Sequence, residues 1–321
     1  MTVSKKGKKK MIYRADFSIS SSSSKLISPV IFGAIADKVF ELTDEKQAKE
    51  LVFDMAQNVL ISDALPSEEE EDDFTRYFYV PRIIPPYEDD QNSLSLREKR
   101  ELARKNKKLA KSISLVEIDN SGILKEADPS KVKNPVDFYR IGIQVNRKSG
   151  ASEEGIFFYH QEFRFSKKQC YSIYIQCKKP SLVNKIEECF KVIELTGFGP
   201  DVSIGKGKIS FLRHNQRILC RDKVTEQFFD SEPDTEKEYV NIASTILFDK
   251  TVSACQFKSY QTFRYDSKGY DVFKPPYFCA ERGSVVVPKG KDLSFLIEYK
   301  GRFIYTCIFP LRLIQIGGEK I

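Results

Sequence analysis

Hydrophobic and polar residues alternate along several short stretches of the chain, and this pattern predicts half-buried β-strands. In residues 11–19 the apolar side chains from Tyr13 to Ile19 take every second position, while Arg14, Asp16 and Ser18 lie between them. The same alternation predicts strands at residues 139–145, 155–165, 170–177 and 208–212, and further along at 239–248, 256–265, 284–287, 293–299 and 302–310.

Helical spacing of apolar residues predicts two helices among these strands. The first begins at Ser28, which we predict as its N-cap because proline follows at the first helical position. Its apolar residues lie between Phe32 and Phe40. The second helix covers residues 181–195 and should end at Gly197, in a cap with positive φ. Strand, helix, strands, helix and strand thus follow one another in the order of a βαββαβ unit.

Residues 62–135 differ in composition from their surroundings, and we predict that they form a large insertion into this unit. The ordered part should end at Ser62–Pro66, because six consecutive acids follow at Glu68–Asp73 and such a run is solvated and mobile. Residues 97–111 are strongly basic and could form a helix. This basic stretch could be a solvated face or a binding element.

The chain has 321 residues, enough for about two domains. We predict a basic disordered leader at residues 1–10, a first domain at 11–215, a linker at 216–238 and a β-rich second domain at 239–321. The fold class is α+β. It consists of a ferredoxin-like (RRM-like) βαββαβ domain that carries the insertion, followed by a second β-rich ferredoxin-like domain.

Composition narrows the classes of function. The net charge of +7 is compatible with a polyanionic partner but does not require one. Seven cysteines without a Cys-x-x-Cys pair, together with only two histidines, argue against a zinc site and for reduced thiols. The basic leader is not followed by the apolar core of a signal peptide, and no apolar run is long enough to cross a bilayer. We predict a cytoplasmic protein without membrane contact, cofactor or metal.

The most distinctive segment is a glycine-rich loop at residues 196–209, between the second predicted helix and a strand. Glycine permits positive φ and close backbone approach, and successive N–H groups can hold phosphate oxygens. A nucleotide P-loop is excluded, because five residues separate Gly199 from Gly205 and glycine follows Lys206. The dinucleotide fingerprint lacks its third glycine. A phosphodiester-binding loop and a long turn both remain open.

Candidate phosphate contacts lie in this loop and in a polar turn at residues 146–150. Glycines would supply backbone donors, the serine a hydroxyl, and the basic residues positive charge. These candidates are Gly197, Gly199, Ser203, Gly205, Lys206, Gly207, Lys208, Arg147 and Lys148.

Several motifs occur in the order found in the RAMP superfamily of CRISPR proteins. More narrowly, the chain resembles the family of subunit four of type III-A (Csm) effector complexes, over residues 11 to 310. The glycine-rich loop matches that superfamily's loop closely. The other matching segments are Ser28–Ala34, Ile61–Pro66, Tyr79–Arg82, Asn146–Arg147 with Gly150, Gly155–Phe158, Lys274–Pro276 and Glu281–Ser284.

The resemblance implies a non-catalytic RNA-binding subunit for antiviral defence. It would hold the 5′ repeat tag of the CRISPR RNA and contact two protein partners, the large polymerase-like subunit and the backbone RAMP subunit. Aromatic side chains could stack on bases of the single strand. The candidates for stacking, each of which could instead be a core or edge aromatic, are Tyr13, Tyr139, Tyr159 and Tyr174.

Two alternatives remain at this stage. Some relatives in the superfamily are guide-RNA-processing endoribonucleases, whose acid–base chemistry favours histidine. His160 lies within a predicted strand and His214 just after another, where structural roles are common, and Asp201 is the one carboxylate near the loop. We therefore predict no catalysis. The other alternative is a purely structural assembly subunit, whose glycine-rich loop contacts protein.

Overall fold

A computed structural model describes most of the chain, and the predicted leader at residues 1–10 lies outside the described part. The described residues are 11–69, 74–81, 97, 100, 101, 104, 113–145, 149, 152–199, 202–229, 233–255, 258–262, 276–299 and 302–312. They form a mixed α/β fold that is rich in sheet.

Helices in the described part are α1 (Ser28–Leu42), α2 (Glu45–Asn58), α3 (Pro180–Thr196) and the short α4 (Lys223–Glu226). Two 3-10 turns lie at Pro129–Lys131 and Val202–Ile204. The strands are β1 (Met11–Ile19), β2 (Val59–Ile61), β3 (Leu65–Glu69), β4 (Phe74–Pro81), β5 (Ile113–Ile118), β6 (Leu124–Glu126), β7 (Val136–Val145), β8 (Ser152–Arg164), β9 (Cys170–Cys177), β10 (Ile209–Phe211), β11 (Leu219–Arg221), β12 (Tyr239–Asn241), β13 (Thr245–Ile246), β14 (Val252–Cys255), β15 (Lys258–Thr262), β16 (Pro276–Ala280), β17 (Ser284–Pro288), β18 (Ser294–Tyr299), β19 (Arg302–Cys307) and β20 (Pro310–Arg312).

The main sheet has the strand order β10-β1-β9-β3-β4-β5-β6, with β11 also on β1 and β2 also on β9. Its central pair, β1 and β9, is antiparallel and places Tyr13 opposite Ile175. Both strands have the bounds that the alternation predicts, but the prediction that they are half-buried is wrong. Side chains on both faces are buried, among them Arg14 and Asp16 of β1 and all of residues 171–177 of β9, because other segments cover the second face.

Part of the predicted insertion extends this sheet. β3 continues to Glu69, so the prediction that order ends at Pro66 is wrong, and Glu68 is held by a hydrogen bond from Tyr77 Oη at 2.8 Å. β4, β5 and β6 add further antiparallel strands. Residues 70–73, which complete the acidic run, lie outside the described residues. The described residues of the basic stretch are helical and exposed: 97, 100, 101 and 104.

The helices differ in how well the sequence predicts them. α1 begins at Ser28, but its N-cap is Ile27, and the Ser28 N–H donates instead to Asp63 Oδ1 at 2.8 Å. α2 was not predicted. Its apolar face is narrow, with only Ala48, Met55 and Ala56 buried.

Residues 216–238 are only partly a linker. β11 pairs with β1, and α4 follows directly, capped by the carboxylate of Asp222. Asp222 is buried and accepts hydrogen bonds from Arg14 and Arg76 on the main sheet, at 2.8 and 2.7 Å. The predicted linker therefore begins with a segment that covers one face of this sheet.

The C-terminal part consists of strands in three sheets, ordered β14-β17-β12-β20, β13-β16-β15 and β18-β19. Within residues 233–255, 258–262, 276–299 and 302–312 there is no helix, so the two helices of a second ferredoxin-like unit are not found in this part. The hydrophobic core continues from the main sheet into these strands. For example, the ring of Tyr305 stacks on Phe32, with 3.9 Å between centroids.

All seven cysteines fall within the described ranges, and none forms a disulfide. Among the described helices, none combines the length and the apolar character needed to cross a bilayer.

Candidate nucleic-acid interface

The glycine-rich loop leaves α3 at Gly197 and enters β10. Gly197 is the C-cap of α3, with φ of 95°, and its N–H donates to Ile193 O at 2.7 Å. Gly199, Gly205 and Gly207 also have positive φ, at 85°, 83° and 68°. The sequence analysis assigned these glycines to a backbone conformation with positive φ, which other residues rarely adopt. This geometry confirms that assignment.

Close approach of two backbones explains Gly207. A Cβ at this position would lie 1.9 Å from Phe198 O, and the Phe198 N–H donates to Gly207 O at 2.8 Å. The loop is closed at this point, and residues 202–206 form its tip. At Gly205 a Cβ would meet no heavy atom within 4 Å, so only its φ calls for glycine.

Much of the loop's hydrogen-bonding capacity is used within the protein. The Gly205 N–H donates to Val202 O at 3.0 Å, and the Gly207 N–H donates to Ser22 O at 2.9 Å. The prediction that these two amides face phosphate is therefore wrong. The first N–H groups of a short helix have no acceptor within it. In the exposed 3-10 turn at the tip, the candidate donors are Ser203 and Ile204.

Residues 20–24, which we call the serine turn, lie against the loop. The Ser20 N–H donates to Lys208 O at 3.0 Å, and the Lys208 N–H donates to Ser21 Oγ at 2.8 Å. A Cβ at Gly199 would lie 2.7 Å from Ser24 Oγ. The hydroxyl-rich segment thus supports the loop from one side.

The two lysines of the loop have different environments. Lys206 forms an ion pair with Glu162 on β8, and its side chain is only 14% exposed. Lys208 is exposed, and within the described residues its ammonium group has neither a hydrogen bond nor an ion pair. Of the two predicted ammonium groups, the one at the surface is therefore that of Lys208.

Some of the remaining predicted RNA contacts lie outside the described residues, and the others differ in how exposed their side chains are. Arg147 and Lys148 lie outside the described residues, as do the side chains of Tyr159 and His160. Tyr139 on β7 is 61% exposed, which suits a stacking role. Tyr13 is half-buried. Tyr174 is 1% exposed in the core, and its proposed role in stacking is therefore wrong.

Sequence analysis missed three residues at this site, which are Glu162, Arg140 and Ser22. Glu162 accepts hydrogen bonds from Arg140 Nε and Ser22 Oγ, both at 3.0 Å, in addition to its ion pair with Lys206. Ser22 and Glu162 are 140 positions apart, so no local pattern could reveal the contact.

The covered face of the main sheet holds the one candidate metal group found among the described residues. The ligand atoms of Asp16, His214 and Cys220 lie within 4.8 Å of one another. His214 Nε2 is 2.8 Å from Asp16 Oδ2, but Arg14 Nε donates to the same oxygen at 2.8 Å. Burial raises the pKa of Cys220 to about 11, which keeps its thiol protonated. Asp16 is thus already paired with Arg14, and a cation beside Arg14 would be repelled.

Fold and site together define a sheet-rich α/β chain whose glycine-rich loop is fixed between a helix end and a serine turn. Among solved structures, it is similar to a chain in the crystal structure of a Csm1–Csm4 cassette in complex with cA4. The two share 16% identity at a TM-score of 0.49, over 94% of this chain and 97% of that one. No family model matches the sequence, and no curated protein matches it.

Two further structures show the same kind of likeness. A chain of the Csm3–Csm4 subcomplex in the type III-A CRISPR-Cas interference complex is 14% identical, with a TM-score of 0.48 over 94% of this chain and 98% of that one. A chain of the Type III-B Cmr-beta complex bound to cognate target RNA is 11% identical, with a TM-score of 0.33 over 66% and 61%. Structures of type III-A (Csm) assemblies, the family indicated by the sequence motifs, are thus among the neighbours of this chain.

Proposed function

We propose that this chain is a non-catalytic RNA-binding subunit of a type III-A CRISPR effector complex. In this role the glycine-rich loop and its surroundings hold the 5′ repeat tag of the CRISPR RNA. The chain joins the large polymerase-like subunit to the backbone RAMP subunit, as a counterpart of the Csm1–Csm4 and Csm3–Csm4 pairs in the neighbouring structures. The strand order β10-β1-β9-β3, with helices in its connections, supports a ferredoxin-like RAMP unit as the base of the loop.

The observation that carries the proposal is the course of the loop. Four glycines with positive φ, and the close contact of Gly207 with Phe198, hold an exposed tip away from the core. At this tip are the hydroxyl and N–H of Ser203, and Lys208 follows on the same loop. Single-stranded RNA is held by backbone-directed positive charge together with stacking on aromatic faces, for which Tyr139 is the exposed candidate.

Salt dependence tests the RNA contact directly. For single strands, log K falls with log salt by about 0.7 per neutralised phosphate. We expect Lys208→Ala to weaken binding of a single-stranded RNA that carries the repeat-derived 5′ end, and to reduce the slope by about that amount. The control is Lys46→Ala, which removes an exposed lysine of α2. Unchanged guide-RNA occupancy in a complex assembled with Lys206→Ala plus Lys208→Ala would instead favour the purely structural subunit.

The absence of catalysis is part of the proposal and has its own assay. His214 is held by the buried carboxylate of Asp16, a contact that suits a structural histidine. We expect repeat RNA to remain intact when incubated with the purified chain. A specific cut that disappears with His214→Ala or His160→Ala would identify a processing endoribonuclease.

A further inference from the structure

The carboxylate of Glu162 joins three segments that are far apart in the sequence. Its Oε2 atom accepts a hydrogen bond from Ser22 Oγ at 3.0 Å. Its Oε1 atom accepts one from Arg140 Nε at 3.0 Å and another from the ammonium group of Lys206. The serine turn, strand β7 and the glycine-rich loop therefore meet at a single side chain of β8.

The backbone beside Glu162 connects the same segments. The Phe163 N–H donates to Ser23 O at 2.9 Å, and the Ser23 N–H donates to Phe163 O at 3.1 Å. The neighbouring Ser22 carbonyl accepts from the Gly207 N–H. Because β7 and β8 pair along most of their length, this junction sets the position of the whole β7–β8 hairpin relative to the loop.

Electrostatics keeps this carboxylate charged. Burial raises the pKa of Glu162, but the hydrogen bonds from Lys206 and Ser22 lower it by a larger amount together with the charge of Lys206. The pKa of this carboxyl is therefore below its usual value. The side chain of Glu162 is 9% exposed, that of Lys206 is 14% exposed and that of Arg140 is 43% exposed. Lys206 is thus directed towards the carboxylate, whereas Arg140 reaches the surface.

We propose that Glu162 is a positioning residue of the RNA site. It fixes the glycine-rich loop and the β7–β8 hairpin in one arrangement. Lys206 forms an ion pair with this carboxylate, whereas Lys208 neutralises phosphate. The inference rests on the proposed function and assigns different roles to the two lysines. It also places exposed Tyr139 of β7 in a fixed relation to the loop tip.

The sign of one substitution separates positioning from simple charge. Replacing Glu162 by glutamine removes a negative charge near a polyanion, which by electrostatics alone would strengthen RNA binding. If Glu162 preorganises the site, the variant must order the loop and the hairpin when RNA binds. This ordering has an entropic cost, and the affinity of the variant for RNA therefore falls. We expect Glu162→Gln to weaken binding about five- to tenfold, within the range of coupling between residues that share hydrogen bonds.

Variants of Lys206 show whether it acts through Glu162. We expect Lys206→Gln to weaken binding without changing the salt slope, since it removes no phosphate contact. Lys206→Arg keeps a donor for the carboxylate and should restore binding. The double variant Glu162→Gln plus Lys206→Gln should bind no more weakly than Glu162→Gln alone, because both changes break the same contact.

The experiment titrates a fluorescein-labelled single-stranded RNA carrying the repeat-derived 5′ end with the full chain, at several salt concentrations. Thermal unfolding of each variant, and the recovery with Lys206→Arg, exclude general misfolding as the cause. Unchanged or stronger binding by Glu162→Gln, or a slope reduced by Lys206→Gln as much as by Lys208→Ala, would overturn the positioning role alone. If neither Lys208→Ala nor Lys206→Gln affects binding, the RNA function itself fails.

Discussion

Single glycines of the loop differ in the reason they are required. At Gly205 only the backbone angle excludes a side chain, since there is open space around the position. At Gly207 both the angle and a neighbouring carbonyl exclude it, because Phe198 O occupies the space of a Cβ. The two positions form a natural pair for measuring how much of the loop depends on close approach.

We expect Gly205→Ala to lower the free energy of unfolding by about 1–2 kcal/mol, the cost of a side chain in left-handed backbone. Gly207→Ala should cost more, at least about 3 kcal/mol, because the loop must open at its contact with Phe198. Urea denaturation of the full chain measures both values. Equal losses at the two positions would contradict the close contact of Gly207 with Phe198.

At the scale of elements, the turn between β10 and β11 carries backbone strain. The N–H of His214 donates to Arg217 O at 2.9 Å, and the Arg217 N–H donates to His214 O at 3.0 Å. The two residues between them, Asn215 and Gln216, have φ of 50° and 67°. This is a two-residue hairpin of the type that favours Asn-Gly. Asparagine tolerates such a φ, whereas glutamine has no local compensation for it.

Gln216→Gly should therefore raise the free energy of unfolding by about 0.5–1 kcal/mol. Glycine removes the steric cost of the positive φ, but part of this gain is lost because glycine has more backbone entropy in the unfolded chain. Gln216→Ala is the matched control, since alanine retains the Cβ and should give no such gain. Urea denaturation of the two variants decides the point. A glycine variant no more stable than the alanine variant would show that the turn is not strained at this residue.

In the molecule as a whole, one buried carboxylate links the first helix to the C-terminal strands. Asp63, which follows β2, accepts hydrogen bonds from the N–H of Ser28 at 2.8 Å and from the N–H and hydroxyl of Ser244 at 2.7 and 2.6 Å. Its own N–H donates to Ile242 O at 3.1 Å. Burial raises the pKa of Asp63, although the charge of Arg282 and these hydrogen bonds oppose the change. The N-terminal helix and the C-terminal strands are thus joined at one acid.

A raised pKa in the folded state has a definite consequence for stability. The folded chain binds this proton more tightly than the unfolded chain, where the pKa is about 3.9. The contribution of Asp63 is therefore fully present below that value and is lost as pH rises through the folded pKa. Asp63→Asn keeps acceptors for both N–H groups and removes the ionisation. We expect this variant to gain stability relative to the wild type as pH rises above about 4.

The measurement is urea denaturation of both proteins across that pH range. Asp63→Ala leaves the donors of Ser28 and Ser244 without an acceptor and should lose about 2–4 kcal/mol at low pH. Because alanine also removes the ionisation, this loss relative to the wild type should become smaller as pH rises. A difference between wild type and Asp63→Asn that does not change with pH would contradict the raised pKa.

Features that depend only on neighbouring residues could be predicted before the fold was known. Strict alternation set the bounds of β1 and β9, and the glycines at positions 197 to 207 indicated positive φ through their residue type alone. These predictions succeed because side-chain period and backbone sterics act within a few residues. For the same reason α2, with only a narrow buried face, escaped detection.

Tertiary structure decided how those features are used. In the folded chain Lys206 pairs with Glu162 and is directed away from the surface, and the N–H of Gly207 donates to Ser22 O. The segment around the buried Asp222 covers one face of the main sheet. Each of these depends on side chains far apart in the chain, whose hydrogen bonds form only after the sheet has brought them together. Local periodicity contains no information about such pairs, because it is the same whichever distant partner is present.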